Sequence, residues 1–423
     1  MVTKDYVKNL DISDPLSGYR NEFLIADTAT CYLDGNSLGR LPKSTVAEIN
    51  RFLFDEWGKK VVAGWADWID EAEKVGDLLG EAALGAASGQ VLVMDTVSVN
   101  FYRLIKAAIS LRPGKKVLVT DSANFPTDRY VLQGIAKEFN LEIRLIDNEI
   151  LPNRIGDELV TPEILSNYLD DSVACITLSQ VNYRSGALHD VVALGEVARS
   201  KGIPFVWDAS HAVGVVDIQY ESSSVDFAVG CTYKYGNSGP GAPAWMYVSK
   251  SAQEKLEMPI QGWFAQKDQF NMGQDFRRAS GMRGFQIASP SIIGLRCVKT
   301  SFEMIKAATL KEINKKAQIG TDLMIQLHDE WLKPLGFELV TPRDANKRGG
   351  HISLYHPHAE KIARGLREEM KLVPDYRVPN CLRVAISPLI NSYEEVFVGF
   401  ERIRDYAASG KWQKLGDFAG KVT

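Results

Sequence analysis

Cysteine is scarce in this chain: there are five, at 31, 175, 231, 297 and 381, with no CxxC pair and no even framework. That usage argues against a disulfide scaffold and fits reduced thiols in a reducing compartment. No apolar run reaches about 18 residues, so no membrane-spanning helix is expected. The opening Met-Val-Thr-Lys-Asp-Tyr has no apolar secretion segment, and the expectation is a cytoplasmic protein. An excess of charge of one sign is also missing, with 49 Lys and Arg against 53 Asp and Glu and a net charge of −4. No basic cluster is interleaved with aromatics, so nucleic acid is not an expected partner. Of the six histidines, His351, His356 and His358 come nearest to a metal cluster. No acid or cysteine stands near them at ligand spacing, and no metal is expected. Internal repeats and low-complexity tracts are absent.

What remains is an ordinary globular composition, 45% apolar and 24% charged over 423 residues, enough for two domains and a large core. The chain is organised around Phe227 to Gly241, which reads Phe-Ala-Val-Gly-Cys-Thr-Tyr-Lys-Tyr-Gly-Asn-Ser-Gly-Pro-Gly. A short apolar strand ends on a lysine and a turn too rich in glycine and proline to continue. Lys234 at such a strand mouth could pack its stem and let its ammonium reach water. If it stays desolvated, its pKa falls towards the free amine that attacks carbonyls.

From about residue 75 to 250 the sequence alternates between helical and strand periods. Helices are predicted at Val75 to Gly85, Phe101 to Leu111, Arg129 to Phe139, Pro162 to Leu169 and Val191 to Ser200. Strands are predicted at Val91 to Met94, Val117 to Thr120, Glu142 to Ile146, Val173 to Leu178, Pro204 to Trp207, Phe227 to Gly230 and Ala244 to Val248. Such alternation implies a mainly parallel α/β sheet with helices on both faces, and ligands then gather at the carboxyl ends of the strands. The residues just past those ends form a coherent set. Val97 and Ser98 offer backbone amides and a hydroxyl at a helix start, a cradle for phosphate. Phe125 supplies an aromatic face and Asp128 a carboxylate. Asp208 ends a buried strand and must be paired, with His211 close behind it. A pyridinium N–H would suit Asp208, and Tyr233 and Lys234 follow the next strand. An amine for an aldehyde, an acid for a ring nitrogen, a ring to stack and a phosphate cradle are the parts that pyridoxal 5′-phosphate requires.

Outside this region, Tyr32-Leu-Asp-Gly-Asn-Ser-Leu-Gly39 brackets Asn36 and Ser37 with glycines, a tight turn able to grip a small polar ligand. Val46, Ile49, Phe52, Leu53 and Trp57 have helical spacing. Trp65 lies in an aromatic connector and could present a flat face to an aromatic ligand. A long helical stretch from Ser291 to Lys306 and on to about Trp331 leads into a smaller α+β domain. The division expected is 51–296 for the large, cofactor-binding domain and 1–50 with 297–423 for the small one. There Arg383 begins a strand-like run and is suited to bind a carboxylate.

These motifs resemble the kynureninases, pyridoxal-phosphate hydrolases of fold type I in the aspartate aminotransferase superfamily. The likeness rests on Tyr32 to Gly39, Ser98-Val-Asn, Phe125-Pro-Thr-Asp128, Val181-Asn-Tyr-Arg-Ser-Gly186 with Leu188-His-Asp190, Trp207-Asp-Ala-Ser-His211, Tyr233 to Gly241, Gly262-Trp-Phe264, and Leu382-Arg-Val-Ala with Pro388-Leu-Ile-Asn391. Gly-Asn-Ser-Leu-Gly, and tyrosine before the lysine, are the family-specific features. The resemblance implies a transferase-like fold and hydrolysis of L-kynurenine, or 3-hydroxykynurenine, to anthranilate, or 3-hydroxyanthranilate, and L-alanine, in tryptophan catabolism. It implies that Lys234 holds the cofactor and moves the α-proton, Asp208 keeps the ring nitrogen protonated, Phe125 stacks on the ring and Tyr233 donates a proton. Val97, Ser98, Tyr233 and Trp263 would surround the phosphate, Asp128 and His211 would complete the cofactor shell, and Arg383 would take the substrate carboxylate, with Asn36 and Ser37 beside it. Trp65 would line the aryl ring. A homodimer is implied, with Trp263 and Ser289 reaching the site from the partner. Ala265-Gln266 and Ser289 depart from the family's usual residues, which bears on the aryl ring accepted. The rival activities are a cysteine desulfurase or selenocysteine lyase, with Cys381 as the candidate thiol, a class V aminotransferase, and a catalytically silent cofactor-binding protein.

Overall fold

The computed structural model describes residues 1–148 and 158–416. A seven-stranded sheet is formed by β1 (Val91–Val93), β2 (Val117–Asp121), β3 (Glu142–Ile146), β4 (Val173–Ser179), β5 (Phe205–Asp208), β6 (Phe227–Gly230) and β7 (Trp245–Val248), in the spatial order β1-β7-β6-β5-β4-β2-β3. Only β7 runs against its neighbours, so the other six carboxyl ends face one side. The five strands other than the edge strand β3 that flank or form the centre, β2 and β4 to β7, are buried throughout, which is why they read as unbroken apolar runs. The edge strand β3 instead alternates with Glu142 and Arg144 and is largely accessible, as an unpaired edge tolerates.

Helices Glu71–Ala83, Val97–Ser110, Pro126–Phe139 and Val191–Ser200 connect or cover these strands. Three begin earlier than their apolar periodicity suggests, the one expected from Val75 starting at Glu71. The helix expected from Phe101 starts at Val97, because Thr96 caps it by accepting from the Val99 amide at 3.4 Å. The helix expected from Arg129 starts at Pro126, where proline fits the first turn. The long helical stretch after Ser291 is two helices, Ile292–Ala308 and Leu310–Leu327. They are divided at Thr309, whose φ of 61° breaks the run while its hydroxyl caps the second helix. Neither glycine nor proline marks that break.

A second sheet, all antiparallel, orders Asp375–Arg377, Cys381–Ala385, His351–Tyr355 and Glu338–Leu339 side by side. Cys31–Tyr32 pairs in parallel with Leu372–Val373, and the Ala385 amide donates to Leu33 O at 2.8 Å. Those bonds stitch the N-terminal segment to the C-terminal part. Two large hydrophobic cores result. One fills the seven-stranded sheet and takes in Leu295, Val298, Phe302 and Ile305 of helix Ile292–Ala308. The other joins Val2, Val7, Cys31 and Leu33 to residues between Leu323 and Tyr406. No helix among the described residues is long and apolar enough to cross a membrane.

Candidate active site

A cavity of about 380 Å³ opens at the carboxyl ends of the large sheet, against the second sheet. It gathers Asn36, Ser37, Val97, Ser98, Phe125, Asp128, Asp208, His211, Tyr233, Lys234 and Arg383. Eleven of the fourteen residues singled out from the sequence therefore share one space. Trp65, Trp263 and Ser289 do not line it within this chain. Trp65 starts a one-turn helix, Trp65–Trp68, and packs edge-on against Trp68 and Phe264. Trp263 is 45% exposed and stands edge-on to Phe264 and Phe270. Ser289 is exposed.

Lys234 follows β6 in a tightly held turn. The Asn237 amide donates to Lys234 O at 3.0 Å, the Ser238 amide to Thr232 O at 3.1 Å, and the Gly39 amide to Tyr233 O at 2.8 Å. From the other side the Ser301 hydroxyl of helix Ile292–Ala308 donates to Asn237 O at 3.1 Å. The lysine is thus fixed by the N-terminal segment and by the helix that follows the sheet. Its amine lies 5.9 Å from the centre of the Phe125 ring. Burial pushes its pKa below the ordinary lysine value, with the charges of Cys231 and Asp208 working the other way.

Asp208 ends the central strand β5 and is 5% exposed. Its Oδ1 accepts from the Ser210 amide at 2.7 Å. Asp128 stands beside it at the start of helix Pro126–Phe139; burial, and then the Asp208 charge, push its pKa well up. Both causes favour the protonated form of Asp128. His211 is held neutral, chiefly by burial and then by the Lys234 charge. Asp128 Oδ2, His211 Nδ1 and both amide atoms of Asn36 are buried without a partner. Buried polar atoms are paired as a rule, so four orphans around one cavity mark it as a binding site.

Across the cavity, Arg383 is 1% exposed, donates to Tyr183 O and to Ser37 Oγ at 2.8 Å, and forms an ion pair with Asp375. Sequence reasoning missed several residues here. Tyr183 stands edge-on to Phe125 at 5.2 Å, Thr96, Ser179 and Ser210 line the wall, and Arg377 faces the space beside Arg383. Thr96, Ser179, Tyr183 and Ser210 all lie within four residues of a strand end, so the rule that found Asp208 could have found them. Arg377 had no such signal. Among the described residues no group of three or more His, Cys, Asp or Glu could hold a metal ion; His351 is buried in its strand, and His356 and His358 pack around Trp412.

Residues 313–403 match the family model described as the kynureninase C-terminal domain. The kynureninase of Burkholderia pseudomallei strain K96243 is 32% identical over 421 residues, covering 98% of this chain and 97% of its own. This chain belongs to the kynureninase family. The kynureninase of Pseudomonas fluorescens is likewise 32% identical, over 94% of each chain. Among solved structures, a mutant of the enzyme C-DES with glycine covalently linked to its PLP cofactor superposes with a TM-score of 0.78 at 14% identity, over 91% of this chain and 99% of that one. The apo cysteine desulfurase of Thermococcus onnurineus NA1 gives 0.76 at 18% identity, over 97% and 99%. At such identities these two share the fold of this kynureninase-family chain, an α/β sheet of the fold-type I kind.

The residues of the cavity fit pyridoxal phosphate. The Asp208 carboxylate on the cavity wall, with the unpartnered Asp128 Oδ2 beside it, the open amides of the helix that starts at Val97, and the depressed amine of Lys234 match a pyridinium, a phosphate and an aldehyde in turn.

Proposed function

We propose that this kynureninase-family chain hydrolyses L-kynurenine, or its 3-hydroxy form, to anthranilate, or 3-hydroxyanthranilate, and L-alanine, with pyridoxal phosphate as cofactor. The observation that carries the reading is one cavity where a desolvated lysine, a buried acid pair and an open helix start converge. When bound, the cofactor supplies an aldehyde that takes up an amine and a ring that accepts the electrons released at the α-carbon. Lys234 is assigned to hold that aldehyde and, once exchanged for the substrate amine, to move the α-proton; its burial favours the free amine this requires. Asp208 is assigned to keep the ring nitrogen protonated, with Asp128 and His211 behind it. Phe125 takes one face of the ring, and Val97, Ser98 and Tyr233 the phosphate. Burial pushes the Tyr233 hydroxyl up from its usual range, so it stays protonated and suits the role of proton donor when the Cβ–Cγ bond breaks. Arg383, with Asn36 and Ser37 beside it, is assigned to the substrate carboxylate.

A homodimer belongs to this proposal. Trp263, with Phe270 and Met272 nearby, is exposed, which suits residues that reach a partner's site, and Ser289 is assigned with Trp263. Trp65, 6.0 Å from Phe264 and so next to that face, is assigned to the aryl ring. A two-domain division near 51–296 against 1–50 with 297–423 is likewise proposed; the two cores follow it in outline, while the first also takes in Leu16, Phe23 and the helices from Ile292 as far as Ala317. A cytoplasmic location remains the expectation from cysteine usage.

The test compares L-kynurenine and 3-hydroxykynurenine for release of the fluorescent anthranilate product, with L-cysteine assayed in parallel for sulfide. Anthranilate or 3-hydroxyanthranilate release supports the reading. Sulfide release without either product would replace it with a desulfurase.

A further inference from the structure

Arg383, the arginine assigned to the substrate carboxylate, has few donors left. Its Nη1 is committed to Tyr183 O, and its Nη2 to Ser37 Oγ at 2.8 Å and to Asp375 Oδ2. The Ser37 hydroxyl approaches the same Asp375 oxygen at 3.5 Å. The guanidinium is wedged into the protein at 1% exposure with Nε unpartnered. A carboxylate arriving from the cavity meets only part of that fork.

Arg377 presents the opposite picture. It sits on the same short strand as Asp375, and Asp375 pairs in register with Arg383 while Arg377 pairs with Cys381. Its Nε lies 2.9 Å from Asp375 Oδ2, an ion pair without the alignment of a hydrogen bond. Among the described residues its guanidinium donates no hydrogen bond at all, yet it lines the cavity and its side chain is 34% exposed. One carboxylate oxygen of Asp375 is therefore shared by two guanidinium groups. It tethers both, and it cannot satisfy both forks. Asp34, the other acid near Arg383, is buried and its pKa is pushed up to about 6 by burial and then by Asp375; its charge lowers the field of the pair without occupying Arg377.

We propose that Arg377 is a second carboxylate-binding residue, so that the α-carboxylate of an amino-acid substrate is held between Arg377 and Arg383, with Asp375 as the tether that sets the two cations apart. The inference rests on the kynurenine-hydrolysing reading above and adds a residue to it. Planar donors of this kind bind carboxylates in pairs of parallel bonds, which a lysine cannot reproduce.

The test uses the cofactor-loaded enzyme and two ligands that differ only in the carboxylate, L-alanine and L-alaninamide, as inhibitors of L-kynurenine cleavage and as ligands followed by the absorbance of the bound cofactor. Arg377→Gln should raise KM for L-kynurenine and the dissociation constant of L-alanine by about tenfold or more, with kcat within about threefold and alaninamide binding unchanged. Arg377→Lys should recover part of the loss for alanine. Equal loss for alanine and alaninamide, or no loss for either, would overturn the proposal by assigning Arg377 a purely structural role. If Arg377→Gln does not fold, Arg377→Lys carries the same comparison, with an alanine-selective loss of about threefold expected and a non-selective one decisive against. A wild-type enzyme that binds alanine but releases no anthranilate would refute the kynurenine reading while leaving the Arg377 comparison intact.

Discussion

The turn that carries Lys234 is braced by a residue far away in sequence, and that brace can be tested by adding a single methyl group. Gly39 donates its amide to Tyr233 O at 2.8 Å. A Cβ placed on it would lie 2.4 Å from Lys234 O, 2.4 Å from Asn237 Oδ1 and 2.7 Å from Asn237 Cα. The Asn237 amide oxygen can rotate away. The Lys234 carbonyl and the Asn237 Cα are backbone and cannot. Restoring an ordinary separation of about 3.5 Å needs a shift of about 1 Å in the lysine turn or in the Gly39 segment. Overpacking of this kind costs about 1–3 kcal/mol, and a 1 Å misplacement of a reacting group costs about a hundredfold in rate. Gly39→Ala should therefore lower kcat for anthranilate release by about 30- to 100-fold while the protein still folds. Its denaturant midpoint should fall in proportion to the stability lost. Gly134→Ala is the control, because Gly134 is exposed in helix Pro126–Phe139 and an added Cβ there meets nothing within 4 Å; it should gain about 0.5–1 kcal/mol and keep full activity. Fluorescence of released anthranilate and urea unfolding read both quantities. A Gly39→Ala enzyme with wild-type kcat and wild-type midpoint would refute the claim that the N-terminal segment sets the lysine.

Three further outcomes are expected. Lys234→Ala should abolish both the visible absorbance of bound cofactor and turnover, measured on the purified protein after incubation with pyridoxal phosphate; survival of either sinks the assignment. Asp121 ends β2 fully buried, and burial pushes its pKa up to about 6, with the Asn148 hydrogen bond opposing. Because the folded state holds that proton more tightly than the unfolded chain, the associated stability is present below about pH 4 and lost as pH rises through about 6. The loss is about 3 kcal/mol at most. Asp121→Asn should flatten this fall, so urea midpoints compared at pH 4 and pH 7 should differ less in the variant, and an unchanged difference would contradict the argument. Cys381 is fully buried, burial pushes its thiol up to about 12, and its Sγ–H donates to Pro379 O at 3.4 Å. It should act as a packing residue: Cys381→Ala should keep anthranilate release within about twofold, and neither protein should liberate sulfide from L-cysteine.

How far the sequence foretells this architecture depends on how local each signal is. Val117–Asp121, Val173–Ser179 and Phe227–Gly230 are apolar enough to be read as buried strands, and a parallel sheet converts strand ends into neighbours. Asp208 and Lys234, 26 positions apart, meet for that reason alone, and so do Phe125 and Ser98. Helix ends were less legible, because Thr96 and Pro126 start their helices through capping while the apolar stripe begins a turn later. The break at Thr309 had no legible cause, since a threonine at positive φ is set by the packing on either side. The roles of Trp263 and Ser289 come only from the family resemblance and Trp65 from a lone aromatic in a connector, and these are the three that stand outside the cavity of this chain.

Arg377 shows where sequence reading reaches its limit and structure begins. Asp375-Tyr-Arg377 is a three-residue strand with one polar residue at each end, too short for a period and indistinguishable in composition from a surface loop. Its meaning comes from register. Antiparallel pairing sets Asp375 opposite Arg383, and the alternation of a strand then returns Arg377, two residues on, to the same face. A slip of one residue would send Arg377 to the other face and leave Asp375 without its arginine. The polar chemistry of the cavity wall therefore depends on a strand pairing that no local pattern records, whereas the lysine and its acid lie on strand ends that any parallel sheet brings together.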